Sequence, residues 1–132
     1  MKLLIDANTR IIDLQKKFNE VYPYLKVEFH KRGYFEKSVS SGKDRIPSDR
    51  LFSAESEIFQ PGSIDINRHR SVGEVEKDFF ENFGIAMQIS RKSGNIWIET
   101  SRTDDRTLKA QNLLGKMNSL PVGVERERMD VD

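Results

Sequence analysis

The chain contains no cysteine, which excludes disulfides, thiolate metal sites and cysteine nucleophiles. Its only imidazoles, His30 and His69, lie in different segments, a pattern of surface residues rather than of metal ligands. An excess of charge is also missing. Twenty-two Lys and Arg stand against 21 Asp and Glu, leaving a net charge of +1, whereas a dedicated nucleic-acid binder carries a stronger basic surplus, although a local patch fits inside a neutral total. No apolar run approaches the ~20 residues of a membrane span. The opening Met1-Lys2-Leu3-Leu4-Ile5-Asp6 is too short for a secretory signal, so a cytoplasmic protein without membrane contact is expected.

With 132 residues, of which 36% are hydrophobic, the chain supports one modest core, and the placement of each apolar side chain carries information. Ile11, Leu14, Phe18 and Tyr22 follow the spacing of one helix face. Val72, Val75, Phe79 and Phe83 repeat it 61 positions later. Ser71 with Glu74 forms a capping box for the second helix, and Pro23 and Gly84 end the two. Each helix is followed by alternating residues that read as a strand: Leu25, Val27 and Phe29, then Ile85, Met87 and Ile89, now 60 positions apart. Before the helices, Leu3 and Ile5 match Ile64 and Ile66. Three successive elements in register point to a duplicated strand–helix–strand unit.

The second unit continues into a hairpin. A turn at Ser93-Gly94 sets Arg91 opposite Ile96, Ser90 opposite Trp97 and Ile89 opposite Ile98, which keeps the aliphatic residues on one face. Gly33-Tyr34-Phe35 offers a similar return in the first unit. A third helix is expected from Asp104-Asp105 to Met117, capped by those aspartates, with Leu108, Leu113, Leu114 and Met117 inward. Residues 36–56 read as a long mobile loop and 119–132 as a frayed tail.

The expected fold is α+β: a two-layer sandwich of duplicated β-α-β units, with both helices on one face of a mainly antiparallel sheet. A ferredoxin-like arrangement is favoured and a β-grasp-like one is the alternative. One domain spans 1–118, with unit one at 1–35 and unit two at 62–118.

Templates for catalysis find no match. Ser41-Gly42-Lys43 echoes a phosphate loop, but Asp44 follows where Ser or Thr belongs. No serine sits in a nucleophile-elbow glycine frame, and Asp104-Asp105 lacks the further oxygen donors of a calcium loop. No catalytic residue, metal or cofactor is assigned, and an enzyme of unknown class is the least favoured reading. The best candidate for function is Trp97, the only tryptophan, which shares a sheet face with Gln88, Ser90 and Glu99. An exposed aromatic there is suited to a binding hot spot, whereas a covering helix, loop or second subunit would make it core. Lys31-Arg32 and Arg91-Lys92 close the two units and could form a cationic rim. A protein partner or homodimer is the expectation, with single-stranded nucleic acid on the basic rim as the alternative.

The second half resembles a family of small bacterial proteins of unknown function. The resemblance rests on Val72-Gly73-Glu74-Val75-Glu76, Phe79, Phe83-Gly84, Arg91, Ser93-Gly94-Asn95, Trp97, Glu99-Thr100, Thr103-Asp104 and Thr107-Leu108. It covers roughly residues 62–115, with a weaker echo over 9–30. It implies a self-contained domain and carries no activity or ligand with it.

Overall fold

The computed structural model describes residues 1–31, 44–100 and 105–119. Its elements run β1 (Lys2–Ile5), α1 (Ile11–Val21), β2 (Leu25–His30), α2 (Phe52–Glu55), β3 (Gly62–Asp65), α3 (Val72–Phe83), β4 (Ala86–Ser93), β5 (Ile96–Glu99) and α4 (Leu108–Asn118). The class is α+β, as expected. The strands are shared between two antiparallel sheets, β1–β3 and β2–β4–β5, instead of joining in the single sheet of a ferredoxin-like arrangement.

Duplication explains the pairing. Leu3 lies opposite Ile64, its own equivalent at the 61-residue offset. Glu28 lies opposite Gln88, its equivalent at 60. Equivalent positions that face one another inside an antiparallel ladder mark a local twofold axis, so each sheet pairs a strand of one unit with its equivalent in the other, β1 with β3 and β2 with β4, and β5 is added beside β4. Local details repeat as well. Asp6 Oδ1 accepts from the Asn8 N–H at 2.8 Å, and Asn67 Oδ1 from the His69 N–H at 2.9 Å. At both helix starts the third residue's carboxylate reaches back, Asp13 Oδ2 accepting from the Arg10 N–H at 2.9 Å and Glu74 Oε1 from the Ser71 N–H at 3.1 Å. At α3 the Ser71 hydroxyl completes the capping box, and Gly84 ends that helix with φ 66°.

The repeat extends further than the apolar spacing suggests. Within the expected loop, residues 44–56 are part of the fold, and 32–43, with Gly33-Tyr34-Phe35, lie outside the described residues. Asp49-Arg50-Leu51-Phe52-Ser53-Ala54-Glu55 corresponds to Asp105-Arg106-Thr107-Leu108-Lys109-Ala110-Gln111, 56 positions on. Leu51 bridges Arg10, and Thr107 bridges Ser71. The Phe52 N–H then donates to Thr9 O at 3.1 Å and the Leu108 N–H to Arg70 O at 2.9 Å. Both helices that follow bury their first apolar residue, Phe52 and Leu108, completely.

The core is one cluster. Phe29 meets Phe52 edge-on with centroids 5.0 Å apart and Phe79 also at 5.0 Å, a geometry that adds to their burial. Tyr22 spans the units by donating its hydroxyl to Ile66 O at 2.6 Å. Burial, with Asp65 nearby, pushes that phenol up to about 12, so it remains a donor.

Two local expectations are corrected. Thr107, not Asp104-Asp105, caps α4, its hydroxyl accepting from the Ala110 N–H at 3.0 Å. The buried stripe of α4 is Leu108, Gln111 and Gly115, while Leu113, Leu114 and Met117 are half-buried. The helix is turned by its contact with Tyr24, which Gly115 alone permits. A Cβ at Gly115 would lie 2.8 Å from Tyr24 Cβ.

Candidate functional site

The hairpin register differs from the expected one by two residues. Ser93 pairs with Ile96, Lys92 with Trp97, Arg91 with Ile98 and Ser90 with Glu99. The turn is therefore Gly94-Asn95, with Gly94 at φ 61°. A two-residue hairpin turn needs positive φ at its first central residue, which glycine adopts without strain. Because the slip is even, every side chain keeps its expected face. Trp97 shares a face with Lys26, Glu28, Gln88, Ser90, Lys92 and Glu99.

That face is only partly open. Gln88 and Ser90 retain 6% and 4% exposure, since β4 is the central strand and Ser90 lies on a rung between Lys26 and Glu99. Near the turn the face opens: Trp97 is 37% exposed and Glu99 is exposed, while Ile96, 62% exposed, stands on the opposite face. Lys26 reaches diagonally across the Ser90 rung, its Nζ 5.1 Å from the Trp97 ring centre, a cation–π contact of about 0.5–1 kcal/mol at such a site.

Of the expected cationic rim, the described residues are Lys31, Arg91 and Lys92. Lys31 is exposed and Arg32 lies outside the described residues. Arg91 and Lys92 point to opposite faces of β4, as neighbours on a strand must. Arg91 turns towards α4 and donates from Nη1 to Gln111 Oε1 at 2.9 Å. Burial, with Arg106 nearby, lowers its pKa. His30, expected at the surface, is 4% exposed. Its pKa is lowered by burial, with Glu28, Glu99 and Asp44 acting in the opposite sense.

The edges of the three-stranded sheet differ. Along β2 the outward carbonyls are taken: Val27 O accepts from Gln15 Nε2 at 2.9 Å, Leu25 O from Asn19 Nδ2 at 3.0 Å and Phe29 O from the Ile46 N–H at 2.7 Å. An open groove of about 300 Å³ runs along this edge, and the two amides that line it already serve the strand. Beyond the end of β5, the outward Ile89 N–H is held by Glu76 Oε2 at 2.9 Å. β5 is different. Lys92 gives its N–H to Tyr24 O at 2.9 Å, towards β2, so its rung partner Trp97 turns its own main chain outward. Among the described residues nothing takes up the Trp97 N–H or C=O.

Among the described residues no three His, Cys, Asp or Glu side chains converge as a metal site, and no helix is long and apolar enough to cross a membrane. No protein-family model, curated protein or solved structure matches the chain.

Proposed function

We propose that this protein is an interaction module that engages another polypeptide, a second copy included, through the β4–β5 hairpin, with Trp97 as its anchor. One observation carries the reading. Among the described residues nothing claims the outward main chain at Trp97, whereas the β2 edge is closed, and large exposed apolar side chains, Ile96 and Trp97 itself, stand beside it on the two faces of the strand. Open edges template pairing with a further strand, and proteins ordinarily blunt the ones they do not use. Trp97 supplies aromatic area at low entropic cost, and Lys26 orients the ring.

The test compares wild type with Trp97→Ala and Ile96→Lys by sedimentation velocity and by affinity capture from the native cell. Each variant should keep its fold and lose the assembly, because a tryptophan hot spot contributes about 2 kcal/mol or more, roughly 30-fold in affinity. A fall in Tm above about 10 °C for Trp97→Ala would place the ring in the core instead.

A further inference from the structure

The duplication gives this chain an internal control. In each unit two helices begin side by side, joined by a short antiparallel bridge. At the first junction the Ile11 N–H donates to Arg50 O at 2.9 Å and the Phe52 N–H to Thr9 O at 3.1 Å. At the second, the Val72 N–H donates to Arg106 O and the Leu108 N–H to Arg70 O, both at 2.9 Å. The backbones correspond and the side chains do not. Ala7, Asn8, Thr9 and Ser53 of the first junction are replaced by Arg68, His69, Arg70 and Lys109 in the second, while Arg50 and Arg106 are shared.

At these four positions the first junction closes with Ala, Asn, Thr and Ser, so cations there are not needed for folding, and the cation it does use, Arg10, donates from Nη1 to Asp49 O where the second junction has Ser71. Only Arg70 has evident structural duties, donating to Asp65 O at 3.0 Å and pairing with Asp78 at 2.8 Å. Among the described residues Arg68, Arg106 and Lys109 form no ion pair, and Arg68, His69 and Arg106 are exposed. The Lys109 N–H donates to Arg68 O at 3.1 Å, so these cations come from two distant segments to one place. Of the neighbouring acids, Glu74 is engaged by the Ser71 N–H at 3.1 Å, and Asp105 is exposed.

We propose that this second junction binds the phosphate backbone of nucleic acid. A small anion does not suit it. Five of the six first-turn N–H groups that would hold one are already bonded: Val72, Leu108 and Lys109 to carbonyls, Glu74 to Ser71 Oγ and Ala110 to Thr107 Oγ1. A protein partner would need an apolar anchor, and the exposed large apolar residues Met1, Leu4, Ile58, Ile96 and Trp97 all lie outside the two segments that build the junction. A polymer of phosphates engages separate cations one by one without a pocket, and arginine forks suit phosphate oxygens. The site is independent of the β5 edge.

The test is fluorescence anisotropy of the full chain with a labelled RNA strand of about 20 nucleotides between about 50 and 200 mM salt. Wild type should bind with a log–log salt slope of about −2 to −3, the release expected from three or four cations. The combined variant Arg68→Ala, His69→Asn, Lys109→Ser installs the residues that the first unit carries, so its melting temperature should be unchanged. It should bind at least roughly tenfold more weakly at low salt, with a slope shallower by about 1. Lys16→Ala with Lys17→Ala, on exposed α1 positions, and Trp97→Ala should both bind as wild type does. Absence of wild-type binding, undiminished binding by the triple variant, or an equal loss in either control would overturn the proposal. Equally tight binding of poly-glutamate would assign the patch to an acidic protein segment and overturn it too.

Discussion

Replacing Gly115 by alanine should destabilise the protein, although alanine is the better helix former by about 0.8–1 kcal/mol. The added Cβ would lie 2.8 Å from Tyr24 Cβ, 2.9 Å from Tyr24 O and 3.1 Å from Arg91 Cγ. The Arg91 stem can yield, but Tyr24 is fixed on both sides. Its N–H donates to Asn112 Oδ1 at 2.9 Å, and its carbonyl accepts from the Lys92 N–H at 2.9 Å. Relief therefore requires α4 to move away from the start of β2, which loosens those hydrogen bonds and the Arg91–Gln111 contact. Overpacking of this kind costs about 1–3 kcal/mol. Less the propensity gain, a net loss of up to about 2 kcal/mol remains, or up to roughly 8 °C in Tm for a domain of this size. Urea denaturation measures it, with Lys116→Ala, an exposed neighbour on the same helix, as a near-neutral control. A double variant with Asn112→Ala, which releases the Tyr24 N–H, should lose less than the two single effects added together. A raised urea midpoint for Gly115→Ala would refute the close seating of α4.

Two other measurements bear on the fold. Phe52→Ala should cost about 3–5 kcal/mol, because this ring is fully buried against Phe29 and Phe79, and a urea midpoint close to wild type would detach α2 from the core. Acidification should destabilise the protein in two stages. Burial lowers the folded-state pKa of His30, so between that pKa and the ordinary value near 6.5 the unfolded chain binds more protons. The associated stability is present above about pH 6.5 and declines as the pH falls through that window. Asp65 and Glu74 also titrate below their ordinary values, each chiefly through a backbone hydrogen bond, from Asn67 and from Ser71. Their contribution is present above about pH 4 and is lost below it. Urea midpoints of wild type and His30→Gln from pH 8 to 5 separate the first stage, and parallel profiles would dismiss it.

Long elements with a strong period were legible from sequence. Both major helices, the capping box at Ser71 and Glu74, and the inward parity of Leu25, Val27, Phe29, Met87 and Ile89 follow from side-chain spacing alone, because burial imposes that spacing. The hairpin register was less accessible. Apolar alternation repeats every two residues, so it fixes the face and leaves the rung open, and only the demand for positive φ at Gly94 selects between turns. α2 escaped notice because four residues show no helical period. Its signal was the Asp-Arg-x-apolar-x-Ala pattern shared by 49–54 and 105–110, which becomes visible when the polar residues of the two units are aligned along with the apolar ones. The burial of Gln88 and Ser90 depends on β4 being the central strand, and no local pattern encodes strand order. The basic junction was hidden for a related reason, since its cations lie in two segments that meet only when α3 and α4 start together.

The two proposed surfaces share a logic. After β2 the chain returns to pair Arg45 with His30 in a single bridge, and after β4 it returns to pair Glu99 with Ser90, the counterpart of His30. Among the described residues the return of the first unit is that single bridge, and β2 is closed by the segment around Ile46 and by Gln15 and Asn19. In the second the return forms β5, with no described residue on its outer edge at Trp97 and with Ile96 exposed. The helix junctions diverge in the same direction, Ala7, Asn8, Thr9 and Ser53 of the first unit giving way to Arg68, His69, Arg70 and Lys109 in the second. Positions at which both copies agree, such as Phe18 with Phe79 or the carboxylates of Asp13 and Glu74 that reach back to the two helix starts, are those that folding requires. Positions at which one copy departs without a structural need are free to serve binding, and in this chain both departures fall in the second unit. The first unit then acts as the scaffold that completes each sheet: β1 pairs with β3, and β2 stands beside β4 as the sheet on which β5 is laid.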